Sequence, residues 1–249
     1  MPLRKRIAVV VPAYSEEALI ESTLRSIPGI VDAIYVIDDA SPDETVARAL
    51  SVGDPRVRIT RFPENRGVGA AIAEGYRLAF SGGASVACVM AGDNQMDPAD
   101  LRHLLEPILD GEADYVVGDR LSYPGAFRLM PLSRFIGNHV LSAMSRILLG
   151  LAIRDSQSGY TALSREGYER MDLGRLFPRY GYPNDLLGLA RLGGLRVTNV
   201  TVRPRYGAEK SGIRLRHALI VIPMILLRAR LRLMRSGSAN LLPASSKSP

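Results

Sequence analysis

S-V-A-C-V-M-A-G-D-N-Q-M-D, residues Ser85 to Asp97, begins as a short apolar run and ends abruptly in small, acidic and amide residues before Pro98. Read as a buried strand, it delivers Asp93, Asn94 and Gln95 to its carboxyl end. Open α/β sheets bind their ligands in the crevice beyond that end. A carboxylate and an amide offer oxygen ligands suited to a hard divalent ion, Mg²⁺ or Mn²⁺, that also holds substrate phosphates. The same letters also describe a polar turn with Asp97 capping the next helix, so the neighbouring segments must decide.

Working toward the N-terminus, the pattern repeats. Ile7–Val11 is a continuous apolar run ended by Pro12, followed by a helix from a Ser15 cap to about Ser26. Ala33–Ile37 runs into Asp38 and Asp39. There Ser41 reads as an N-cap, Pro42 as the first helical residue and Glu44 as the partner in a capping box. Val57–Arg61 is a third strand, followed by the loop F-P-E-N-R-G and a helix from about Gly69 to Phe80. Beyond the opening stretch, Tyr115–Val117 leads into Gly118-Asp119-Arg120. Strands alternating with helices at this spacing predict right-handed βαβ units and a largely parallel, doubly wound α/β sheet. Each strand end carries polar residues, so a single cleft at the carboxyl edge collects Tyr14, Glu16, Asp38, Asp39, Asn65, Asp93, Gln95, Asp119 and Arg120.

The second half differs. Leu132–Leu151 is an amphipathic helix with Leu132, Ile136, Val140, Met144, Ile147 and Leu151 on a helical period. R-D-S-Q-S-G-Y (Arg154–Tyr160) reads as a polar return, Leu195–Val202 alternates like a strand, and Ile213–Arg235 is a second amphipathic helix. The expected organisation is a domain over residues 1–212, including an interface helix at 131–151. A basic helix at 213–235 and a disordered Ser/Pro-rich tail at 236–249 follow.

Composition bounds the function. The 249 residues carry a net charge of +7, and all but three of the 32 basic residues are arginine, pointing to anionic partners. A GC-rich genome or a hot habitat produces the same arginine bias. The lone Cys88 cannot form an intrachain disulfide, which fits a reducing compartment. No signal-peptide pattern and no apolar run of roughly 18–20 residues stands out. A zinc site lacks its Cys/His set, and a hydrolase elbow lacks G-x-S-x-G. Arg214, Arg216, Arg228, Arg230, Arg232 and Arg235 flank an apolar centre, which suits a helix lying in a lipid headgroup layer. At 6% aromatic content there is no stacking platform, so a membrane surface is favoured over nucleic acid.

Among single motifs, Asp43 and Asp97 read as helix caps. Adjacent Asp38 and Asp39 cannot both be caps, which leaves one for a base or ribose. Asn65-Arg66-Gly67-Val68-Gly69 could cradle a phosphate at a helix N-terminus, although it is neither G-x-G-x-x-G nor a P-loop.

V-P-A-Y-S-E-E, V-I-D-D-A-S-P-D-E-T, N-R-G-V-G-A-A, G-D-N-Q-M-D-P, G-D-R, D-S-Q-S-G-Y and Y-G-A-E-K-S-G occur here in this order. In that combination the chain resembles glycosyltransferase family 2 of the GT-A fold, within it the dolichol-phosphate mannosyltransferase-like group, from about Ile7 to Ile213. The resemblance implies a GT-A, Rossmann-like, mostly parallel sheet flanked by helices, with two basic amphipathic helices in the C-terminal half. It implies that Pro12, Tyr14 and Glu16 line the base pocket and that Asp39 meets the nucleoside, with Asn65 and Gly67 also on the donor. Asp93 and Gln95 would hold Mn²⁺ or Mg²⁺ on the diphosphate. Arg120 and Arg134 resemble the arginines that receive a lipid phosphate, and Arg205, Lys210 and Ser211 fall in a loop over the donor phosphates. Asp185, in G-Y-P-N-D, stands where relatives carry an acid and is the candidate base if the acceptor is a hydroxyl. Two positions depart from the pattern: Ala91 replaces the usual first acid of Asp-x-Asp, and Asp119 replaces the serine of G-S-R.

The expected reaction is inverting transfer of a hexose, mannose from GDP-mannose, to a polyprenyl or dolichyl phosphate. The expected place is the cytoplasmic face of a membrane, bound peripherally. The competing expectations are a UDP-sugar enzyme acting on a saccharide hydroxyl, and a non-catalytic basic module for membrane or nucleic acid.

Overall fold

The computed structural model describes residues 5–205 and 220–237. Among these, seven strands form one sheet in the order β3-β2-β1-β4-β6-β5-β7. The strands are β1 (Ile7–Ala13), β2 (Ala33–Asp38), β3 (Val57–Arg61), β4 (Val86–Val89), β5 (Tyr115–Asp119), β6 (Thr161–Ser164) and β7 (Val197–Thr201). Pairing is parallel except where β6 runs antiparallel between β4 and β5. The carboxyl ends of the other six strands therefore share one edge. The fold is the mixed, mostly parallel α/β sheet that the strand–helix alternation predicts.

Apolar runs without alternation form the central strands because both faces are covered. Val9 and Val11 of β1 face one core layer with Leu101, Leu104 and Leu105. Ala8 and Val10 face the other, with Ile72, Tyr76 and Phe80. Those two sets come from α4 (Leu101–Leu109) and α3 (Val68–Ser81), on opposite sides of the sheet. Gly75 lets α3 lie directly on β1, since a Cβ there would stand 2.1 Å from Val10 Cγ1.

Three local expectations change. The first helix, α1 (Ile20–Ser26), starts five residues after Ser15. Ser15 has φ +58° and gives its N–H to Ser41 Oγ at 3.1 Å, so it links two loops and caps nothing. In turn Ser41 does not cap α2 (Thr45–Ser51), whose N-cap position is Glu44 without a side-chain cap; Asp43, expected as a cap, lies one residue earlier and accepts from Thr45 N at 3.1 Å. β6 was not legible in advance: T-A-L-S is four residues long, and only its neighbours β4 and β5 make it a strand.

The remaining helices are α5 (Ala126–Leu129), α6 (Leu132–Leu149), α7 (Arg165–Glu169), α8 (Tyr182–Leu192) and α9 (Ile222–Arg235). The expected start of the last helix, from residue 213, lies outside the described residues, as does the tail from 238. The buried side of α6 is Leu141, Ser142, Ser145 and Leu149. Ser145 Oγ donates to Leu141 O at 2.8 Å and to Asn184 Oδ1 at 2.9 Å, and Ser142 Oγ accepts from Ser156 N at 2.9 Å. These small polar residues bring α6 close to the fold. Its large apolar stripe consequently points outward, with Leu132 65% and Ile147 79% exposed. α9 packs beside α6 and α8 and likewise exposes Met224, Leu227, Leu231 and Met234. Among the described residues no helix is long and apolar enough to cross a membrane.

Candidate active site

A cavity of about 570 Å³ opens at the carboxyl edge of the sheet. It gathers most of the residues nominated from sequence. Pro12, Tyr14 and Glu16 come from the end of β1; Asp39, Asn65 and Gly67 come from the loops after β2 and β3. Asp93 and Gln95 follow β4, with Ala91 beside them, while Arg120, Arg134 and Arg205 stand on the remaining walls. Lys210 and Ser211 lie outside the described residues.

The loop after β4 is a tight turn. Asn94 has φ +58°, a conformation asparagine tolerates better than most residues. Asp93 Oδ1 accepts from Gln95 N at 3.1 Å, and Ala91 N donates to Met96 Sδ at 3.3 Å. Gly92 N reaches Pro12 O at 3.1 Å, tying the turn to β1. Asp97 caps the following 3₁₀ turn by accepting from Ala99 N at 3.1 Å, as its spacing predicts. Among the described residues no cluster of three or more His, Cys, Asp or Glu side chains could hold a metal alone. One carboxylate and one amide oxygen in the same cavity still fit Mg²⁺ or Mn²⁺. These hard ions keep several waters and take the rest of their shell from substrate phosphates.

Asp39 organises the loop after β3. Its Oδ1 accepts from Arg66 N at 2.7 Å and its Oδ2 from Gly67 N at 2.8 Å. Gly69 N donates to Pro178 O at 2.8 Å. The expectation that N-R-G-V-G cradles a phosphate is thereby corrected, because these backbone donors are already engaged within the chain. Gly67 and Gly69 are required for a different reason. A Cβ at Gly67 would lie 2.4 Å from Pro178 O, and one at Gly69 2.2 Å from Phe177 O. Gly67 also has φ +96°, which side chains disfavour. Asp38 is buried beneath, accepting from Ser41 N at 3.2 Å and pairing with Arg61 Nε at 3.3 Å.

Elsewhere in the lining, Asp155 grips Arg120 through Nε at 2.7 Å and Nη2 at 3.1 Å. This two-point contact fixes the plane of the guanidinium. Asp119, the unusual residue before it, is buried and turns the chain by accepting from Leu121 N and Ser122 N, both at 3.0 Å. Arg134 reaches the cavity from the first turn of α6.

Asp185 is the main correction among the site residues. It is fully buried on α8 and does not line the cavity. Its Oδ2 accepts from Phe177 N at 2.8 Å and its Oδ1 pairs with Arg232 of α9 at 2.9 Å. A carboxylate so engaged holds α8 and α9 together and is not placed to take a proton from a substrate. The same contact takes Arg232 away from the lipid-facing role expected of it; burial lowers the affinity of its guanidinium for protons, with Asp185 opposing. Asp185→Asn is expected to cost about 3 kcal/mol of stability by leaving Arg232 buried without its partner. Activity per folded molecule should change little. Thermal melts paired with initial rates check this, and a large rate loss at an unchanged melting temperature would restore the base role.

One segment of the cavity was not foreseen. The segment Phe177–Tyr182 brings Arg179, Tyr180 and Tyr182 to its lining. Pro178 O receives Gly69 N, and Arg179 Nη1 donates to Asn65 Oδ1 at 3.3 Å. Three aromatics within six residues, F-P-R-Y-G-Y, were the available signal in a chain with 6% aromatics. Tyr180 and Tyr182 are both held above the usual phenol range, by burial first. For Tyr180 the charges of Glu16 and Asp93 add to this, and for Tyr182 that of Asp93 adds while Arg120 opposes it. Met96, Arg203 and the stretch Gln157–Tyr160 also line the cavity.

A carboxyl-edge cavity lined by an acid–amide turn and by arginines, on this mostly parallel sheet, suits a donor that carries phosphate. The chain belongs to Glycosyl transferase family 2, whose family model matches residues 8–172. It is 29% identical over 217 residues to the UDP-N-acetylglucosamine–dolichyl-phosphate N-acetylglucosaminyltransferase of Methanococcus voltae, covering 81% of this chain and 86% of that one. It is 31% identical over 244 residues to the polyprenol monophosphomannose synthase of Mycolicibacterium smegmatis, covering 91% and 89%. Among solved structures it is similar to glucosyl-3-phosphoglycerate synthase from Mycobacterium tuberculosis. In complex with phosphoglyceric acid that enzyme is 27% identical with a TM-score of 0.68, over 97% of this chain and 82% of that one. In complex with Mn²⁺, uridine diphosphate and phosphoglyceric acid the values are 25% and 0.64, over 97% and 81%. Family membership makes the chain an enzyme and sets aside the reading as a non-catalytic basic module.

Proposed function

We propose that the chain transfers a hexose, mannose from GDP-mannose, to a polyprenyl or dolichyl phosphate at a membrane surface. What supports this reading is that Asp93, Gln95, Arg120 and Arg134 all line one cavity at the carboxyl edge of the sheet. The names of the M. voltae and M. smegmatis relatives support a lipid-phosphate acceptor, the former in so many words.

The chemistry follows from charge. An ionised phosphate is already a nucleophile, so Arg120 and Arg134 need only hold it in line with the anomeric carbon. An acceptor oxygen forms the new bond there as the bond to the nucleotide's β-phosphate oxygen breaks. The electron pair leaves on the nucleoside diphosphate, with inversion. Asp93 and Gln95 would hold a divalent Mn²⁺ or Mg²⁺, which would supply charge neutralisation to that diphosphate. Arg205, which stands 3.9 Å from Asp97 Oδ1, adds positive charge to the same side. Pro12, Tyr14, Glu16 and Asn65, with Asp39 behind them, form the nucleoside end. The outward apolar faces of α6 and α9 rest on the cytoplasmic face of the membrane, and the lipid presents its phosphate beside α6.

The competing donor is a UDP-sugar, supported by the M. voltae relative's name and by the uridine diphosphate in the solved structure. A hydroxyl acceptor is disfavoured because it needs a base and Asp185 is committed to Arg232. The deciding experiment offers the enzyme GDP-mannose, UDP-glucose and UDP-N-acetylglucosamine with Mn²⁺, polyprenyl phosphate in vesicles, and a free saccharide. Polyprenyl-phospho-mannose detected by mass spectrometry is the expected product. Transfer to the saccharide alone, or from no donor, overturns the proposal.

A further inference from the structure

The reaction proposed above requires the transferred sugar to lie between the donor diphosphate and the acceptor phosphate, and this inference rests on that reading. The cavity is lined by eight charged side chains, five of them arginines, but one part of its wall is neutral: Ser158, Gly159, Tyr182 and the thioether of Met96.

Ser158 is 1% exposed, and its hydroxyl has no hydrogen-bond partner among the described residues. A buried hydroxyl without a partner is costly, and native proteins seldom leave one so unless a ligand or water completes it. Tyr182 lines the same cavity as Asp93 and Arg120, and the charges of both act on its hydroxyl. Burial keeps its hydroxyl protonated, so at neutral pH it is a hydrogen-bond donor. Gly159 lets the Tyr182 hydroxyl pack directly against the loop that carries Ser158. A Cβ there would come within 2.7 Å of Tyr182 Oη and 3.3 Å of Met96 Cε.

The wall is also rigid. Gln157 Nε2 donates to Asn184 Oδ1 at 3.2 Å, and Asn184 Nδ2 returns a bond to Gln157 Oε1 at 3.4 Å. This paired-amide contact joins the loop carrying Ser158 and Gly159 to the helix that begins with Tyr182. Ser158 N also donates to the carbonyl of Asp155, whose side chain grips Arg120. A prearranged pair of neutral hydroxyls beside an apolar thioether matches a sugar ring, which presents hydroxyls at its rim and C–H groups on its face. Phosphates, in contrast, have arginines available.

We propose that Ser158, Gly159 and Tyr182 form the subsite that seats the transferred hexose and reads its hydroxyls, thereby selecting which sugar is transferred. Ribose hydroxyls of the nucleotide share this chemistry, and binding of the nucleoside diphosphate alone distinguishes the two.

The test is isothermal titration with Mn²⁺ of GDP against GDP-mannose, and of UDP against UDP-glucose, for the parent enzyme and for Ser158→Ala, Tyr182→Phe and Gly159→Ala. Melting temperatures check that each variant is folded. Ser158→Ala and Tyr182→Phe are each expected to weaken the intact nucleotide sugar by roughly tenfold, the scale of one lost hydrogen bond to a buried group. They should leave the nucleoside diphosphate within twofold of the parent. Gly159→Ala should push the Tyr182 hydroxyl out of place and reduce the extra affinity contributed by the sugar. In transfer assays the variants should discriminate less between epimeric hexose donors. Equal weakening of diphosphate and nucleotide sugar would assign these residues to the ribose and overturn the inference while the proposed reaction stands. Unchanged binding of both by folded variants would overturn it as well. A parent enzyme that binds no nucleotide sugar would end both readings together.

Discussion

Arg134→Ala and Arg120→Lys are each expected to lower kcat/KM for transfer to a lipid phosphate by roughly two to three orders of magnitude, the scale of removing one fixed donor from a developing or transferred charge. The substitutions differ in what they remove. Arg134 is half-buried in the first turn of α6 and lines the cavity, and truncating it deletes a cation from the cavity wall. Arg120 is locked to Asp155, whose side chain is fully buried. Arg120→Ala would leave that carboxylate without its ion pair at a cost of about 3–5 kcal/mol, so a loss of activity there would be hard to separate from unfolding. Lysine keeps the charge but loses the planar two-point grip, so it tests orientation. Initial rates against polyprenyl phosphate at saturating donor, with melting curves alongside, are the measurement. Rates within threefold of the parent for both variants would remove the acceptor-phosphate role. Transfer to a saccharide that survived while lipid transfer fell would instead restrict these arginines to the lipid.

Asp93→Asn is expected to reduce transfer by about three orders of magnitude, because charge on the leaving diphosphate would then go largely unneutralised. The substitution keeps the side chain's shape, and its Oδ1 can still accept from Gln95 N, so the turn should survive. The sharper readout is thermal stabilisation by nucleoside diphosphate. In the parent it should require Mn²⁺ or Mg²⁺, and in Asp93→Asn the metal-dependent part should vanish. Ala91→Asp supplies the complementary arm. Ala91 lines the same cavity two residues before Asp93, and an acid there should lower the Mn²⁺ concentration needed for half-maximal activity. If chelators leave the parent's nucleotide binding and transfer unchanged, Asp93 and Gln95 are not metal ligands here.

Several features of the fold were open to reading because they are local. Strands buried on both faces appear as unbroken apolar runs, and Ile7–Val11 and Ala33–Ile37 were placed to within a residue or two of their observed ends. Asp97 acts as a cap and Asp43 accepts from Thr45 N beside the start of α2, since a side chain reaching a backbone N–H two residues away needs nothing distant. A cleft at the carboxyl edge followed from parallel strands alone. Ser15 and Ser41 misled for the opposite reason. Each had good cap chemistry, but their hydrogen bond to each other joins loops 26 residues apart. α8 left no periodic signal because Asn184 through Ala190 are all buried.

The residues of the strand ends, their oxygen and guanidinium chemistry, and their assembly on one edge were determined by the sequence itself. Side-chain period and strand direction follow from neighbours along the chain. Tertiary structure alone decided three matters. It gave the backbone donors of Arg66 and Gly67 to Asp39 and that of Gly69 to Pro178, leaving them no phosphate to cradle. It removed Asp185 from chemistry by pairing it with Arg232, which is 47 residues away. It also brought Phe177–Tyr182 to a cavity whose nearest wall in sequence is more than ten residues distant. In each case the competing partners are far apart in the chain, and only the packed fold determines which of them a buried polar group meets.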